Sequence, residues 1–168
     1  GKVEQILETI EPLRELTRKF ATNATVLFLG RGIQYPIALE GALKLKELAY
    51  IHAEGFAGGE LKHGPIALIE EGTAVIAILP TADDHNLDEK MLSNIQEVKA
   101  RGARVIVIAA EGVSVIGAEY IIRIPAASSI LQPVLATVPL QVFAYEIAVA
   151  RGTDVDQPRN LAKSVTVE

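Results

Sequence analysis

Three stretches of this chain are apolar almost throughout, and each is short enough to be a strand. They are Thr25–Leu29 (TVLFL), Thr73–Leu79 (TAVIAIL) and Arg104–Ala110 (RVIVIAA). A strand with one face in water alternates polar and apolar residues, so a continuous apolar run must be covered on both faces. Two further segments, Ile51–Phe56 and Tyr120–Pro125, read as strands, and helical patterns separate them. Strands alternating with helices call for a parallel sheet with helices on each side. Hydrophobic residues make up 49% of the chain but aromatic residues only 5%, so the core must be aliphatic, which fits such layers better than an aromatic-rich β-sandwich.

The helical segments carry their own punctuation. Val3, Ile6, Leu7, Ile10, Leu13, Leu16 and Phe20 recur at helical spacing, with Pro12 placed to kink or split that helix. Pro36 suits the first turn of a helix running to about Tyr50. A short helical piece is expected around Glu60–Ile69. Asn86 with Glu89 three residues on resembles a capping box ahead of Leu87, Met91, Ile95 and Val98, with Gly102 as the stop. A long helix from about Ser129 to Ala150 precedes a polar tail. Without repeats or linkers, residues 1–168 read as one domain that includes the tail 153–168.

The absence of cysteine excludes disulfides, thiolate nucleophiles and cysteine-ligated metals. A net charge of −5, with basic residues interleaved among acids, argues against a nucleic-acid surface. The apolar run Ile130–Ala150 approaches membrane-spanning length, but Gln132, Pro133, Pro139, Gln141 and Glu146 interrupt it, so a buried or dimer-forming helix is expected. The opening amphipathic segment does not read as a signal peptide. The expectation is a cytoplasmic protein that engages neither membrane nor nucleic acid.

Chemistry concentrates between Glu40 and Pro65, EGALKLKELAYIHAEGFAGGELKHGP. On a helix, Glu40, Lys44 and Glu47 share one face. Lys44 and Glu47 are then either a base with its electrostatic partner or an ordinary surface pair, and spacing alone favours the latter. His63 is either a proton shuttle or a structural histidine, and the glycine-broken segment before it is expected to bring it towards Glu47. His52, Glu54 and His63 match no metal-ligand spacing, so no metal is expected. Gly30-Arg31-Gly32 sits between a strand and a helix, where α/β sheets bind ligands, but Tyr35 stands where a dinucleotide fingerprint needs its third glycine. Asp154, Asp156, Arg159 and Lys163 lie in a tail with few apolar anchors, which is expected to fray.

The runs FLGRGIQYPIALEGALKLKELAYIHAE, GGELKHGPIALI and VPLQVFAYEIAVARGTDVDQPRNLAKSVTVE resemble the C-terminal part of the glucosamine-6-phosphate synthase family, the isomerizing glutamine–fructose-6-phosphate aminotransferases. The resemblance covers nearly the whole chain and points to the second of two SIS (sugar isomerase) domains, each a flavodoxin-like α/β/α sandwich with a five-stranded parallel sheet. It implies a role for Glu47 in moving a proton between C1 and C2 of the open-chain sugar, with the Lys44 ammonium assisting at the oxygens. It likewise implies that His63 helps open the fructose ring from across a dimer, that Lys163 forms an imine with the ketose carbonyl, and that Ala162 holds the substrate by its backbone. No cofactor is implied. The implied partners are fructose 6-phosphate, a first SIS domain and a glutaminase domain of the same enzyme, and a second copy of the chain.

The departures from that family limit what these residues can do alone. Its glutaminase domain uses a nucleophilic cysteine, and this sequence has none. Its phosphate-binding loop is rich in Ser and Thr, whereas the corresponding turn here, Leu79–Asn86 (LPTADDHN), is acidic with a single Thr. Carboxylates there repel a phosphate. The expectation is a partial isomerase site, inactive in isolation. The alternatives are a non-catalytic sugar-phosphate-binding module and a self-sufficient isomerase, the latter disfavoured by the missing serine-rich loop.

Overall fold

A computed structural model describes residues 1–79 and 85–160, with the side chains of His85 and Asn86 left aside. Five strands form one sheet: β1 (Thr25–Gly30), β2 (His52–Ala57), β3 (Ala74–Ile78), β4 (Arg104–Ala110) and β5 (Tyr120–Ile124). Their spatial order is β2-β1-β3-β4-β5, and every pairing is parallel. This is the flavodoxin-like order, in which the chain reverses its direction of travel between β1 and β3.

The continuous apolar runs are explained by where successive side chains go. Val26 and Phe28 of β1, Ile76 and Ile78 of β3, and Ile106 and Ile108 of β4 enter one core. Their neighbours Leu27, Leu29, Val75, Ala77, Val105 and Val107 enter the other. The first core is covered by α1 (Lys2–Glu8), α2 (Glu11–Arg18), α3 (Tyr35–Ala49) and α5 (Gln132–Arg151). The second is covered by α4 (His85–Lys99) and by 3-10 turns over Gly58–His63 and Pro65–Leu68. The expected three-layer α/β/α sandwich is therefore present, with a thinner second layer. No helix joins β4 to β5. There the Arg123 guanidinium donates to the carbonyls of Ala110 and Val113 and closes the loop.

The expected helix ends hold with two adjustments. Pro12 does divide the opening helix, since α2 begins one residue before it. Asn86 is not a cap, because the backbone is already helical at His85. The segment expected to be helical around Glu60–Ile69 is 3-10, broken by Gly64 and Pro65. The helix α5 is long and apolar enough to cross a membrane, but Leu135, Ala136, Leu140, Phe143, Ala144, Ile147 and Ala148 are buried against the rest of the fold. It serves as a core helix.

Candidate functional site

α3 begins with Pro36 in its first turn, where the missing N–H costs nothing, and buries Ala38, Gly41, Ala42, Leu45 and Ala49. Small residues on that face allow close packing: a Cβ at Gly41 would lie 2.9 Å from Phe28 and 3.1 Å from Leu140. The flank carries the charges. Lys44 Nζ donates to Glu47 Oε2 at 2.6 Å and lies 3.8 Å from Glu40 Oε1. The Lys44 and Glu47 side chains are 28% and 26% exposed, so this pair is more sheltered than an ordinary surface pair. The hydrogen bond to Glu47 raises the Lys44 pKa above the ordinary lysine value, burial opposes it, and the charges of Glu47 and Glu40 add to the rise.

The polar tail returns to this pair. Gly152 ends α5 in the left-handed region (φ 69°), which glycine adopts without penalty. Thr153 Oγ1 then donates to the Leu48 carbonyl at 2.7 Å. Asp154 Oδ1 accepts the N–H groups of Asp156 and Gln157, each at 3.0 Å. The Arg159 N–H donates to Tyr50 Oη at 2.8 Å, and its guanidinium stacks 4.2 Å from the centre of the Tyr50 ring. As far as Asn160, therefore, the expected frayed terminus is instead docked. Leu43, Lys46, Glu47, Tyr50, Ile51, His52, Arg159 and Asn160 together line an open cleft of about 570 Å³. Ala162 and Lys163 lie outside the described residues, as does most of the Leu79–Asn86 turn.

His63 does not join them. α3 runs antiparallel to the strands, so Glu47 lies near the start of β2, whereas His63 follows the end of β2. Six residues of strand intervene, about 17 Å at 3.3 Å per step. Within one chain the expected convergence of His63 with Lys44 and Glu47 is therefore wrong. The glycine-broken segment leaves β2 at its far end and turns along the opposite layer. His63 is exposed and makes no hydrogen bond or ion pair among the described residues. His52 instead pairs with Glu54 (Nε2 to Oε1, 2.9 Å) on the edge strand, so His52, Glu54 and His63 do not gather round one point.

Other hollows are present among the described residues. At the carboxyl ends of β1 and β2, a cleft of about 230 Å³ is lined by Arg31, Gly58, Gly59, Lys62, Lys90, Ser93, Asn94 and Glu97. Arg31 donates to Asn94 Oδ1 at 3.0 Å, and Lys62 pairs with Glu97 at 2.7 Å. Burial opposes ionisation of Glu97, but the hydrogen bond and charge of Lys62, helped by Asn94 and Ser93, hold its carboxyl below the usual range. A more enclosed cleft of about 430 Å³ separates α1 and α2 from β5, with Ile6, Ile10, Leu13 and Ile122 among its mainly aliphatic walls. It holds none of the candidate groups, so the Glu47 cleft is the better candidate site. Sequence reasoning missed Tyr50 and the structured part of the tail. Only the row of polar residues in TDVDQP, suited to local turns, hinted at the latter.

Comparison with known proteins follows the same geometry. The family description "SIS domain" matches residues 19–151. Over the whole chain, 62% of residues are identical to a glutamine–fructose-6-phosphate aminotransferase [isomerizing] of Streptomyces coelicolor, of which the match covers 28%. The enzyme of the same name from Mycobacterium tuberculosis is 60% identical over 99% of this chain and 27% of its own length. The chain thus spans between a quarter and a third of these relatives. Among solved structures, the C-terminal domain of glucosamine-fructose-6-phosphate aminotransferase from Francisella tularensis superposes with TM-score 0.85 and 41% identity, over 93% of this chain and 44% of that one. A tagatose-6-phosphate ketose/aldose isomerase from Escherichia coli, at TM-score 0.80 and 24% identity, covers 95% of this chain and 45% of its own and shares the fold.

Proposed function

From the premise that this chain belongs to the SIS domain family, we propose that it is the C-terminal isomerase part of an isomerizing glutamine–fructose-6-phosphate aminotransferase. The reaction is conversion of fructose 6-phosphate and ammonia, drawn from glutamine, into glucosamine 6-phosphate. One observation supports the reading: Glu47, sheltered and paired with Lys44, lines a cleft whose other wall is the tail at Arg159 and Asn160, three residues before Lys163.

The chemistry needs that combination. The Lys163 amine condenses with the ketone at C2, losing water. Ammonia adds to C2 of this imine and expels the Lys163 amine, leaving a C2 imine of the sugar that makes the proton on C1 more acidic. Glu47 takes the C1 proton and returns one at C2, while the Lys44 ammonium assists at the adjacent oxygens and Ala162 holds the sugar through its backbone. His63 stands too far from Glu47 in its own chain, so the reading assigns it to ring opening in the cleft of a second subunit of a homodimer. The phosphate grip and the glutaminase nucleophile fall to other domains of the same cytoplasmic enzyme.

Two assays test this. The chain alone, incubated with fructose 6-phosphate and either glutamine or ammonia, should form no measurable glucosamine 6-phosphate. In the full-length enzyme, Glu47→Gln and Lys163→Ala should each lower turnover by about 10²-fold or more. Unchanged turnover in Lys163→Ala would point instead to a non-catalytic sugar-phosphate-binding module.

A further inference from the structure

α3 ends on a residue whose backbone conformation favours glycine, and that residue is a tyrosine. Tyr50 has φ 55° and ψ 34°, and among the described residues only Asn160 is another non-glycine residue with positive φ. Bulky side chains are rare in this region, so the surrounding contacts must hold the residue there. They come from the tail. The Tyr50 hydroxyl accepts the Arg159 N–H at 2.8 Å, and the ring stacks against the Arg159 guanidinium at 4.2 Å. At the other end of the same segment Thr153 is tied to Leu48, two residues before Tyr50. The segment from Thr153 to Asn160 is thus fastened at both ends to the last turn of α3, next to Glu47.

We propose that Tyr50 is a positioning residue, whose left-handed turn and ring clamp the tail so that the chain leading to Lys163 departs from Asn160 at the Glu47 cleft. This rests on the functional reading above. Chain geometry supplies the magnitude. Three residues separate Asn160 from Lys163, a reach of at most about 10 Å, whereas eleven residues from Gly152 allow about 36 Å. The accessible volume shrinks by a factor of roughly 50, which bounds the gain in local lysine concentration. Both contacts join Tyr50 to the tail, so the clamp acts through the tail.

The test uses the full-length enzyme with Tyr50→Phe, Tyr50→Ala and Lys163→Ala. Borohydride reduction in the presence of fructose 6-phosphate traps the imine as a mass increment on Lys163, and its rate is followed beside kcat and KM. Tyr50→Ala should slow trapping and kcat together by about tenfold at saturating sugar, within the bound set by the tail's reach. Tyr50→Phe keeps the ring and should fall between Tyr50→Ala and the unmodified enzyme. Trypsin should cut after Arg159 faster in both Tyr50 variants, a readout of tail docking that does not depend on catalysis. Trapping within twofold of the unmodified enzyme in both variants, with normal adduct formation in the parent, would overturn the clamp and leave the functional reading standing. Loss confined to thermal stability, with the trapping rate per folded molecule unchanged, would also overturn it. No adduct in the parent enzyme, with full turnover in Lys163→Ala, would sink the clamp and the functional reading alike.

Discussion

A lysine held between two carboxylates on one helix flank does not titrate as it would in water. Because the Lys44 pKa is raised in the fold, the folded chain holds a proton that the unfolded chain gives up first. Its contribution is fully present below the ordinary lysine value of 10.5 and is lost as pH rises through the folded value. Lys44→Met should therefore reduce the drop in thermal midpoint above about pH 10, by an amount typical of a partly screened pair, under about 1 kcal/mol. The carboxyls work in the opposite sense. Glu119 is lowered first by its hydrogen bond from Arg104, against the effect of burial, and Glu97 is lowered by Lys62 and its neighbours once burial is overcome. Their contribution exists above the ordinary carboxyl value of 4.5 and disappears as pH falls through the lowered values. Glu97→Gln and Glu119→Gln should flatten the loss of stability between about pH 5 and pH 3, measured by urea titration. An unchanged acid limb would show that these pairs contribute nothing. Spacing alone identified Lys44 and Glu47 as neighbours, because a helix fixes which residues share a face. It could not identify Tyr50, whose role depends on a tail residue more than a hundred positions away.

Elements are where the pattern of residues was most readable. The strands fall within a residue or two of their apolar runs, since burial on both faces leaves little freedom in where they begin. Errors came where backbone geometry competed with side-chain pattern: Asn86 and Glu89 have the spacing of a cap, yet the helix already includes them. The stretch expected to be helical after Gly59 has too many breaks for regular helix and settles into 3-10 turns. The seam of α3 against β1 and α5 depends on an element-level fit at Gly41. Replacing it with valine would drive two methyl groups into Phe28 and Leu140, starting from a Cβ already at 2.9 and 3.1 Å. Overpacking of this kind costs about 1–3 kcal/mol, a fall in the thermal midpoint of roughly 3–10 °C for a chain of this size. A midpoint unchanged within 1 °C would mean that the seam relaxes freely. Since α3 also carries Glu47, the same variant should lower turnover in the full-length enzyme.

At the scale of the molecule, the separation of His63 from Glu47 by the length of β2 has a direct functional consequence. If each complete site takes Glu47 from one subunit and His63 from another, Glu47→Gln and His63→Asn full-length enzymes should each be impaired yet complement one another. Random reassortment makes half of the dimers mixed, and each mixed dimer has one intact site, so about a quarter of normal activity should return on mixing. No recovery, despite subunit exchange shown by mass, would place His63 outside the reaction. Light scattering of the full-length enzyme should also give a dimer or a multiple of one.

By itself the sequence determined the class of fold and the inventory of reactive groups. Consecutive apolar residues cannot face water, so the buried parallel sheet follows from TVLFL, TAVIAIL and RVIVIAA. Helical spacing likewise places Lys44 beside Glu47. Only the tertiary structure decided which of those groups meet. A strand carries the chain from one end of the sheet to the other, so residues close in sequence, such as Glu47 and His63, end up at opposite ends of β2. A returning tail, held by one hydroxyl and one stacked ring, brings Asn160 to the Glu47 cleft from the far end of the chain. Local pattern has no term for that distance, because it is set by strand direction and by contacts between elements.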